Sequence, residues 1–340
     1  MRQIVIAKPG GPEVLQLHEV PTPEPAPGQV RIAVGAIGVN FADVMGRLGI
    51  YPDAPRGPYV PGYEVAGQIE AVGPGVDTSR VGEPVLALTK FGGYSDQLCV
   101  PAEQAIPRPA SMTVEQAAAF PVAYITAYAS LVAMAGIKPG EHVLIHAAAG
   151  GLGLAAVSIA RIFDATIYGT ASASKHDFLR EQGVQYPIDY RHQNFEREIK
   201  RLTNGRGVQI ALDSIGGRSW LKSYRALSAG GRMVICGVSS MAPGQKRSIP
   251  SLVKFALSVP WLRFNPVSLA NDNKGVMGIN LGRLWGELPM MRTWMDALLA
   301  WWEAGKLQVR IDHEFSLADA AEAHRYLQDR RNIGKVILKP

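Results

Sequence analysis

The sequence predicts an α/β protein of two domains, a doubly wound parallel sheet joined to a mostly β domain. Three observations predict it. A short apolar strand, His142 to Ala147, runs into Ala148-Ala149-Gly150-Gly151-Leu152-Gly153 and then into a helix of small residues, LAAVSIARIF. Strand and helix patterns then alternate as far as Cys236, the pattern of parallel strands joined by helical crossovers. Finally, 340 residues are too many for one ordinary core.

Each element follows in order. Residues 1–123 are rich in Pro and Gly and read as short strands: Gln29 to Val39, Val65 to Val72 and Pro84 to Leu88, with turns at Gly73-Pro74-Gly75 and Gly92-Gly93. The pattern changes near Ala123, where TAYASLVAMAG predicts a helix ending at Gly136. After the glycine stretch come strand Ala165 to Thr170, helix Lys175 to Gln182, strand Tyr186 to Asp189 and helix Phe195 to Thr203. Strand Val208 to Asp213, helix Ser219 to Leu227 and strand Arg232 to Cys236 continue the alternation. Residues 241–273 are apolar and interrupted by prolines, which forbid one long helix. A strand-like GVMGIN, helix Met290 to Ala304, strand Val309 to Phe315, helix Leu317 to Gln328 and strand Lys335 to Leu338 end the chain.

The strand–AAAGGLG–helix unit reads as a dinucleotide loop. Glycines let backbone N–H groups approach a pyrophosphate, and the helix N-terminus adds positive partial charge. The bland reading is a tight turn without ligand, but the strand before and helix after supply the confirming context. Ala148 stands where the usual first glycine would be. NAD sites end the second strand in an acid that binds the ribose 2′-hydroxyl. Here Gly169-Thr170-Ala171-Ser172-Ala173-Ser174-Lys175-His176 has no carboxylate before Asp177. Ser172 and Lys175 suit a 2′-phosphate, so NADPH is the expected cofactor. Ser174 would equally serve as a helix N-cap.

Hydrophobic residues make up 47% and charged residues 19%, which fits a folded protein. The net charge of +6 suits a polyanionic cofactor, and the Lys and Arg residues are scattered rather than blocked, against nucleic-acid binding. The start has no signal core, and the best apolar run, Leu252 to Leu269, is broken by charges and prolines. Cys99 and Cys236 lie far apart, which argues against a disulfide framework and for a cytoplasmic protein.

The segments VNFADVMGRLGIYP, PYVPGYEVAGQIEAVG, FGGYSDQLCVPA, AAAFPVAYITAY, HAAAGGLGLAAVSIA, YGTASASKH and DRRNIGKVIL carry a resemblance across nearly the whole chain. The chain resembles the zinc-independent, zeta-crystallin-like quinone oxidoreductases of the medium-chain dehydrogenase/reductase superfamily, in particular the vesicle amine transport protein-like group. The resemblance implies a GroES-like catalytic domain from residues 1–123 and 275–340, a Rossmann NADPH-binding domain from 124–274, and an active site in the cleft. It implies cofactor contacts at Asn40, Thr126, Lys175, Tyr190, Cys236-Gly237-Val238 and Asn332, beside Ala149, Gly150, Gly151, Leu152, Gly153, Thr170 and Ser172 of the loop and strand end. It further implies a homodimer through the Rossmann sheet edge, near Val234 and Val276. Met45 departs from the family, some members having tyrosine there.

Zinc-dependent relatives take a Cys and a His as ligands where this chain has Asn40 and Tyr63, neither suited to zinc. Without a Lewis acid, reduction of a quinone or other conjugated carbonyl is the expected chemistry, since the delocalised oxyanion needs only neutral donors. Asn40 is one candidate donor and Tyr51 a second, either giving a proton or only packing the substrate pocket. Glu64 is expected to order local backbone. Two rivals stand beside this reading: a 2-enoyl thioester reductase with Tyr51 as proton donor, and an NADPH-binding structural, RNA-binding or membrane-associated protein with little turnover. Segment 241–273, with Leu252, Val253, Phe255, Leu257, Val259, Trp261, Leu262 and Phe264, would line a wide apolar substrate entrance, pack a dimer, or meet a membrane with Lys254 and Arg263.

Overall fold

The structure, a computed structural model, describes residues 1–242, 244–246, 248–260 and 264–340. Along the chain, β1 (Arg2–Ile6), β2 (Leu15–Glu19) and the long β3 (Gln29–Val39) lead to α1 (Phe41–Arg47). Next come β4 (Glu64–Val72), β5 (Pro84–Leu88), β6 (Gln97–Pro101), β7 (Ala105–Pro107) and α2 (Val114–Ala119). Then α3 (Pro121–Tyr128), β8 (His142–Ile145), α4 (Gly151–Ile162), β9 (Thr166–Ala171), α5 (His176–Glu181), β10 (Tyr186–Asp189), α6 (Phe195–Leu202), β11 (Val208–Asp213), α7 (Arg218–Ala226) and β12 (Leu227–Ile235) alternate. The remaining elements are α8 (Ile249–Ser258), α9 (Pro266–Asp272), β13 (Gly275–Gly278), α10 (Leu288–Glu303), β14 (Ile311–Ser316), α11 (Ala320–Gln328) and β15 (Lys335–Lys339).

The chain forms two compact units, one of Met1–Val122, Gly244–Arg247 and Val309–Pro340, the other of Ala123–Pro243 and Ser248–Gln308. In the first, a sheet runs in the order β14-β15-β3-β4-β5-β7, with β6 also on β3. Strand β3 is its spine because Val30, Ile32, Val34, Ile37 and Val39 all point into one core. That core also takes Val65, Ile69, Val85 and Leu98 from neighbouring strands and Ala320 and Ala323 from α11.

In the second unit six strands lie in the order β10-β9-β8-β11-β12-β13, every neighbouring pair parallel. The strand order reverses between β8 and β11, so the loops at their carboxyl ends diverge there and leave room for a ligand. Leu144, Tyr168, Ile188, Ala211 and Met233 from the strands, with Phe195, Ile199 and Tyr224 from helices, fill one core.

Three differences from the sequence reading have physical causes. Residues 275–308 belong with the parallel sheet, not with the first unit, because β13 pairs with β12 from Arg232↔Gly275 to Ile235↔Gly278. The helix expected to end at Gly136 is α3 followed by a π-helical turn, Ala129–Met134, and Gly136 does close it at φ 55°. In segment 241–273 the prolines start helices rather than only breaking them. Pro250 and Pro266 occupy first-turn positions of α8 and α9, where no backbone N–H is missed. Its apolar residues divide: Phe264 and Leu269 pack on the core, while Ile249, Val253 and Leu257 face outward. The expectations that rested on Trp261, Leu262 and Arg263 fall outside the described residues.

Candidate functional site

The dinucleotide loop follows β8. Ala147 adopts φ 50°, a left-handed conformation that costs a non-glycine residue about 1 kcal/mol. Strand β9 holds it there: the Ala147 N–H donates to Thr170 Oγ1 at 3.2 Å and the Ala148 N–H to the Thr170 carbonyl at 3.0 Å. Gly150 is the N-cap of α4, whose first turn is Gly151, Leu152 and Gly153. A Cβ on Gly153 would lie 2.3 Å from the Ala147 carbonyl oxygen and 2.6 Å from Ala148 Cα. Only glycine therefore lets the helix start against its own entry loop, and the free N–H groups of that start fit a phosphate. Within the loop Ala148 and Ala149 are themselves buried.

Because all six strands are parallel, the ends of β8, β9, β10 and β12 share one edge of the sheet. That edge gathers the loop with Ser172 and Lys175 after β9, Tyr190 after β10 and Cys236-Gly237-Val238 after β12. Ser172 is the N-cap of the short 3-10 turn Ala173–Lys175, its Oγ 3.3 Å from Ser174 Oγ. The N-cap of α5 is Lys175 and makes no side-chain capping bond, so Ser174 does not take that part. Arg191, which the sequence reading passed over, brings a second cation, its Cζ 6.0 Å from the Tyr190 ring centroid. The carboxylate paired across the sheet from Ala171, that of Asp189, is occupied by the Arg191 N–H and His192 Nδ1, and these hold its pKa low. Thr170 differs from expectation: it is 2% exposed and its hydroxyl serves Ala147 and His146, so it shapes the loop from below. Burial pushes the Cys236 thiol pKa up. Thr126 lies half-buried in α3, its carbonyl accepting from Ser130 Oγ at 2.7 Å.

In the first unit the structure builds a polar cluster around Asn40. Lys335 Nζ donates to Asn40 Oδ1 at 2.8 Å, to Glu64 Oε1 at 2.6 Å and to the Val39 carbonyl at 3.1 Å. Asn40 Nδ2 donates to the same Glu64 Oε1 at 2.8 Å, and Glu64 Oε2 accepts from the Val122 N–H at 2.7 Å. The amide is thereby fixed: its oxygen faces the ammonium and one N–H the carboxylate. The other N–H has only the Gly38 carbonyl at 3.5 Å, a marginal contact, and is the one able to serve an incoming oxygen. Gly38 is required here, since a Cβ would fall 2.3 Å from Glu64 Oε1. The backbone of Asn40 is held by Asp43, whose Oδ2 accepts the Asn40 N–H at 2.8 Å and whose Oδ1 accepts the Gly62 N–H at 3.0 Å. Burial raises the Asp43 pKa to about 7 against those hydrogen bonds. Behind it, Tyr94 Oη lies 3.3 Å from Asp43 Oδ2 and 3.0 Å from His324 Nε2. Tyr51 is half-buried and meets Tyr63 edge-on at 6.0 Å, and Tyr63 leans on Phe91 at 5.1 Å. Asn332, three positions before Lys335, is buried with its amide on the Gly334 carbonyl at 2.8 Å.

The sequence alone assigned no role to Lys335 or Arg191, and Asp43 stood at capping-box spacing from Asn40. Glu64 was expected to order local backbone, but the backbone group it holds, the Val122 N–H, is 58 residues away rather than local. Gly38 near the end of strand β3 was the clue available, since a glycine there marks close approach of another group.

Comparison with known proteins now decides the family. The model described as alcohol dehydrogenase GroES-like domain matches residues 26–110, and that described as zinc-binding dehydrogenase matches residues 182–338. The synaptic vesicle membrane protein VAT-1 homolog of Rattus norvegicus is 39% identical over 345 residues, spanning 100% of this chain and 84% of that protein. The chain belongs to the medium-chain dehydrogenase/reductase superfamily. It is an oxidoreductase of that superfamily, with GroES-like and Rossmann units. Escherichia coli quinone oxidoreductase complexed with NADPH is similar in structure, with a TM-score of 0.86 at 31% identity over 100% of both chains. CurK enoyl reductase matches with a TM-score of 0.82 at 30% identity, over 99% of this chain and 98% of its own. Although one family description names zinc, no group of three or more His, Cys, Asp or Glu side chains is placed to hold a metal ion among the described residues. No helix among them is long and apolar enough to cross a membrane.

Proposed function

We propose that this medium-chain reductase uses NADPH to reduce quinones or other conjugated carbonyls without a metal. The observation that carries the reading is the Asn40 amide, fixed in one orientation by Lys335 and Glu64; the resemblance puts a zinc ligand of the zinc-dependent relatives at this position. Such an amide is a neutral hydrogen-bond donor, too weak for an isolated alkoxide but sufficient for a delocalised oxyanion.

The loop fits the cofactor: the glycine start of α4 leaves room for a pyrophosphate, and Ser172, Lys175, Tyr190 and Arg191 would hold a 2′-phosphate, the neighbouring Asp189 carboxylate being taken up by the Arg191 N–H and His192. Ala149, Gly150, Gly151, Leu152 and Gly153 would hold the phosphates with Thr126, while Cys236, Gly237, Val238 and Asn332 would line the nicotinamide. When bound, NADPH supplies a hydride. The chain's own part is then positional. Lys335 draws electron density from the Asn40 oxygen and sharpens its free N–H as a donor to the acceptor's oxygen. Tyr51 packs the acceptor or gives it a proton.

The test is a panel of 1,4-naphthoquinone, an enone and an enoyl-CoA with NADPH and NADH. Naphthoquinone turnover with NADPH is expected, and Lys175→Ala should weaken NADPH by about 1.5–3 kcal/mol while sparing NADH. Equal binding of both cofactors by the wild type overturns the cofactor assignment. The likeness to CurK enoyl reductase favours a second reading, reduction of a 2-enoyl thioester, which turnover of enoyl-CoA above naphthoquinone would establish.

A further inference from the structure

Beneath the dinucleotide loop lies a line of buried polar side chains with no part in the chemistry above. Asp213, at the end of β11, is fully buried. Its Oδ2 accepts from Ser223 Oγ at 2.7 Å and from Ser219 Oγ at 2.8 Å, both on α7. Since Ser223 gives its proton to Asp213, its oxygen accepts from His146, whose Nε2 is 2.9 Å away. His146 Nε2 thus carries the proton and Nδ1 a lone pair, which accepts from Thr170 Oγ1 at 3.1 Å. Thr170 Oγ1 in turn accepts the Ala147 N–H at 3.2 Å. Every donor has one acceptor, so the line has a single direction, from Ala147 through Thr170, His146 and Ser223 to Asp213. Burial favours the neutral imidazole that this direction requires.

The same carboxylate reaches the other side of the site. Asp213 Oδ1 accepts the Ile215 N–H at 2.9 Å and the Gly216 N–H at 3.1 Å. The turn so formed receives the strand end after β12: the Cys236 N–H bonds the Asp213 carbonyl at 3.0 Å, and the Ser239 N–H the Ser214 carbonyl at 3.1 Å. The contact is close, for a Cβ on Gly216 would meet Val238 Cα at 3.2 Å.

We infer that Asp213, Ser223, His146 and Thr170 form a one-way hydrogen-bond relay that holds Ala147 in its left-handed conformation and ties the pyrophosphate loop to the Cys236–Val238 loop. His146 and Asp213 are then positioning residues for cofactor binding, touching no cofactor themselves. Ala147 needs such a device because its conformation is strained and its residue is not glycine. The inference rests on the cofactor reading above.

Three variants and two ligands test it. Thr170→Val removes the hydroxyl at constant shape, Thr170→Ser keeps it, and Ser223→Ala cuts the relay far from the loop. NADPH is titrated by fluorescence, and 2′-AMP, which carries no pyrophosphate, by calorimetry. Hydrogen exchange of the peptide spanning 146–151 is followed without ligand. Thr170→Val and Ser223→Ala should each weaken NADPH about tenfold, the size of one lost buried hydrogen bond. They should leave 2′-AMP unchanged and speed exchange in the loop, and Thr170→Ser should restore both readouts. Equal losses for NADPH and 2′-AMP, no rescue by Thr170→Ser, or unchanged loop exchange in Ser223→Ala each overturn the relay. Should the wild type bind no NADPH, the cofactor reading fails, and the exchange arm alone still decides the relay.

Discussion

At Lys335 one buried ammonium serves three acceptors, the Val39 carbonyl, Asn40 Oδ1 and Glu64 Oε1. Its partner Glu64 lies 271 residues away in sequence, so no local pattern announces the pair, whereas Asn40 is announced by its place in VNFAD. Both members are buried, at 6% and 0% side-chain exposure. Lys335→Met should therefore cost about 3–5 kcal/mol, because it strands a buried carboxylate rather than merely removing an attraction. Urea unfolding measures the loss, and Glu64→Gln combined with Lys335→Met should recover much of it. A loss below about 1 kcal/mol in the single variant, the size of a surface pair, would contradict the buried geometry. A second residue-scale expectation concerns pH. Burial, and then the nearby Arg47, hold the His324 pKa well below its ordinary value of 6.5. The unfolded chain takes up a proton below about pH 6.5 that the folded chain refuses, so the unfolded state binds more protons there. The stability this group contributes is whole above that pH and falls as pH drops toward the folded pKa. His324→Gln should flatten the acid side of the urea-midpoint profile relative to wild type; an unaltered slope between about pH 7 and 5.5 would show that His324 is not buried neutral.

The elements were largely legible because hydrophobic period and punctuation agree along most of the chain. The alternating strands and helices from His142 to Ile235 follow the expected order, with ends displaced by a residue or a few. Legibility failed where one residue type has two uses. Proline both stops and starts helices, and in segment 241–273 its position in the first turn of α8 and α9 decides for starting. The direction of Thr170 was equally hidden: strand alternation puts its side chain on one face, but only the fold puts His146 there to receive it. The α4 start, by contrast, followed from spacing alone, and it makes a sharp prediction. Gly153→Ala places a Cβ against backbone on two sides, and backbone cannot swing aside as a side chain can. The loop must move, so NADPH affinity should fall by at least tenfold and the melting temperature with it, at about 1–3 kcal/mol for overpacking. Gly244→Ala, where a Cβ would meet nothing, is the control and should change neither. Retained affinity in Gly153→Ala would mean that the loop is not held as the structure shows.

On the scale of the whole molecule, the parallel sheet ends on one side in β13, which among the described residues pairs only with β12. An edge strand offers a row of unpaired N–H and C=O groups, and an uncovered edge invites uncontrolled association. Val276 lies in β13 opposite Met233, next to the Val234–Met277 pair, and β13 is short and half-buried rather than shielded by charged side chains. The exposed Ile249, Val253 and Leu257 of α8 add apolar surface to the same unit. A closed two-fold dimer that sets one β13 against its copy in a partner satisfies both sets of backbone groups at once and leaves no open end for further growth. We therefore expect a homodimer. Light scattering should return twice the 36.6 kDa chain mass at micromolar concentration. Val276→Pro removes one N–H from the edge and should shift the mass toward one chain, whereas Leu257→Ser on α8 should leave it unchanged. A single-chain mass for the wild type would refute the dimer. Loss of the dimer in Leu257→Ser but not in Val276→Pro would move the interface from the sheet edge to α8.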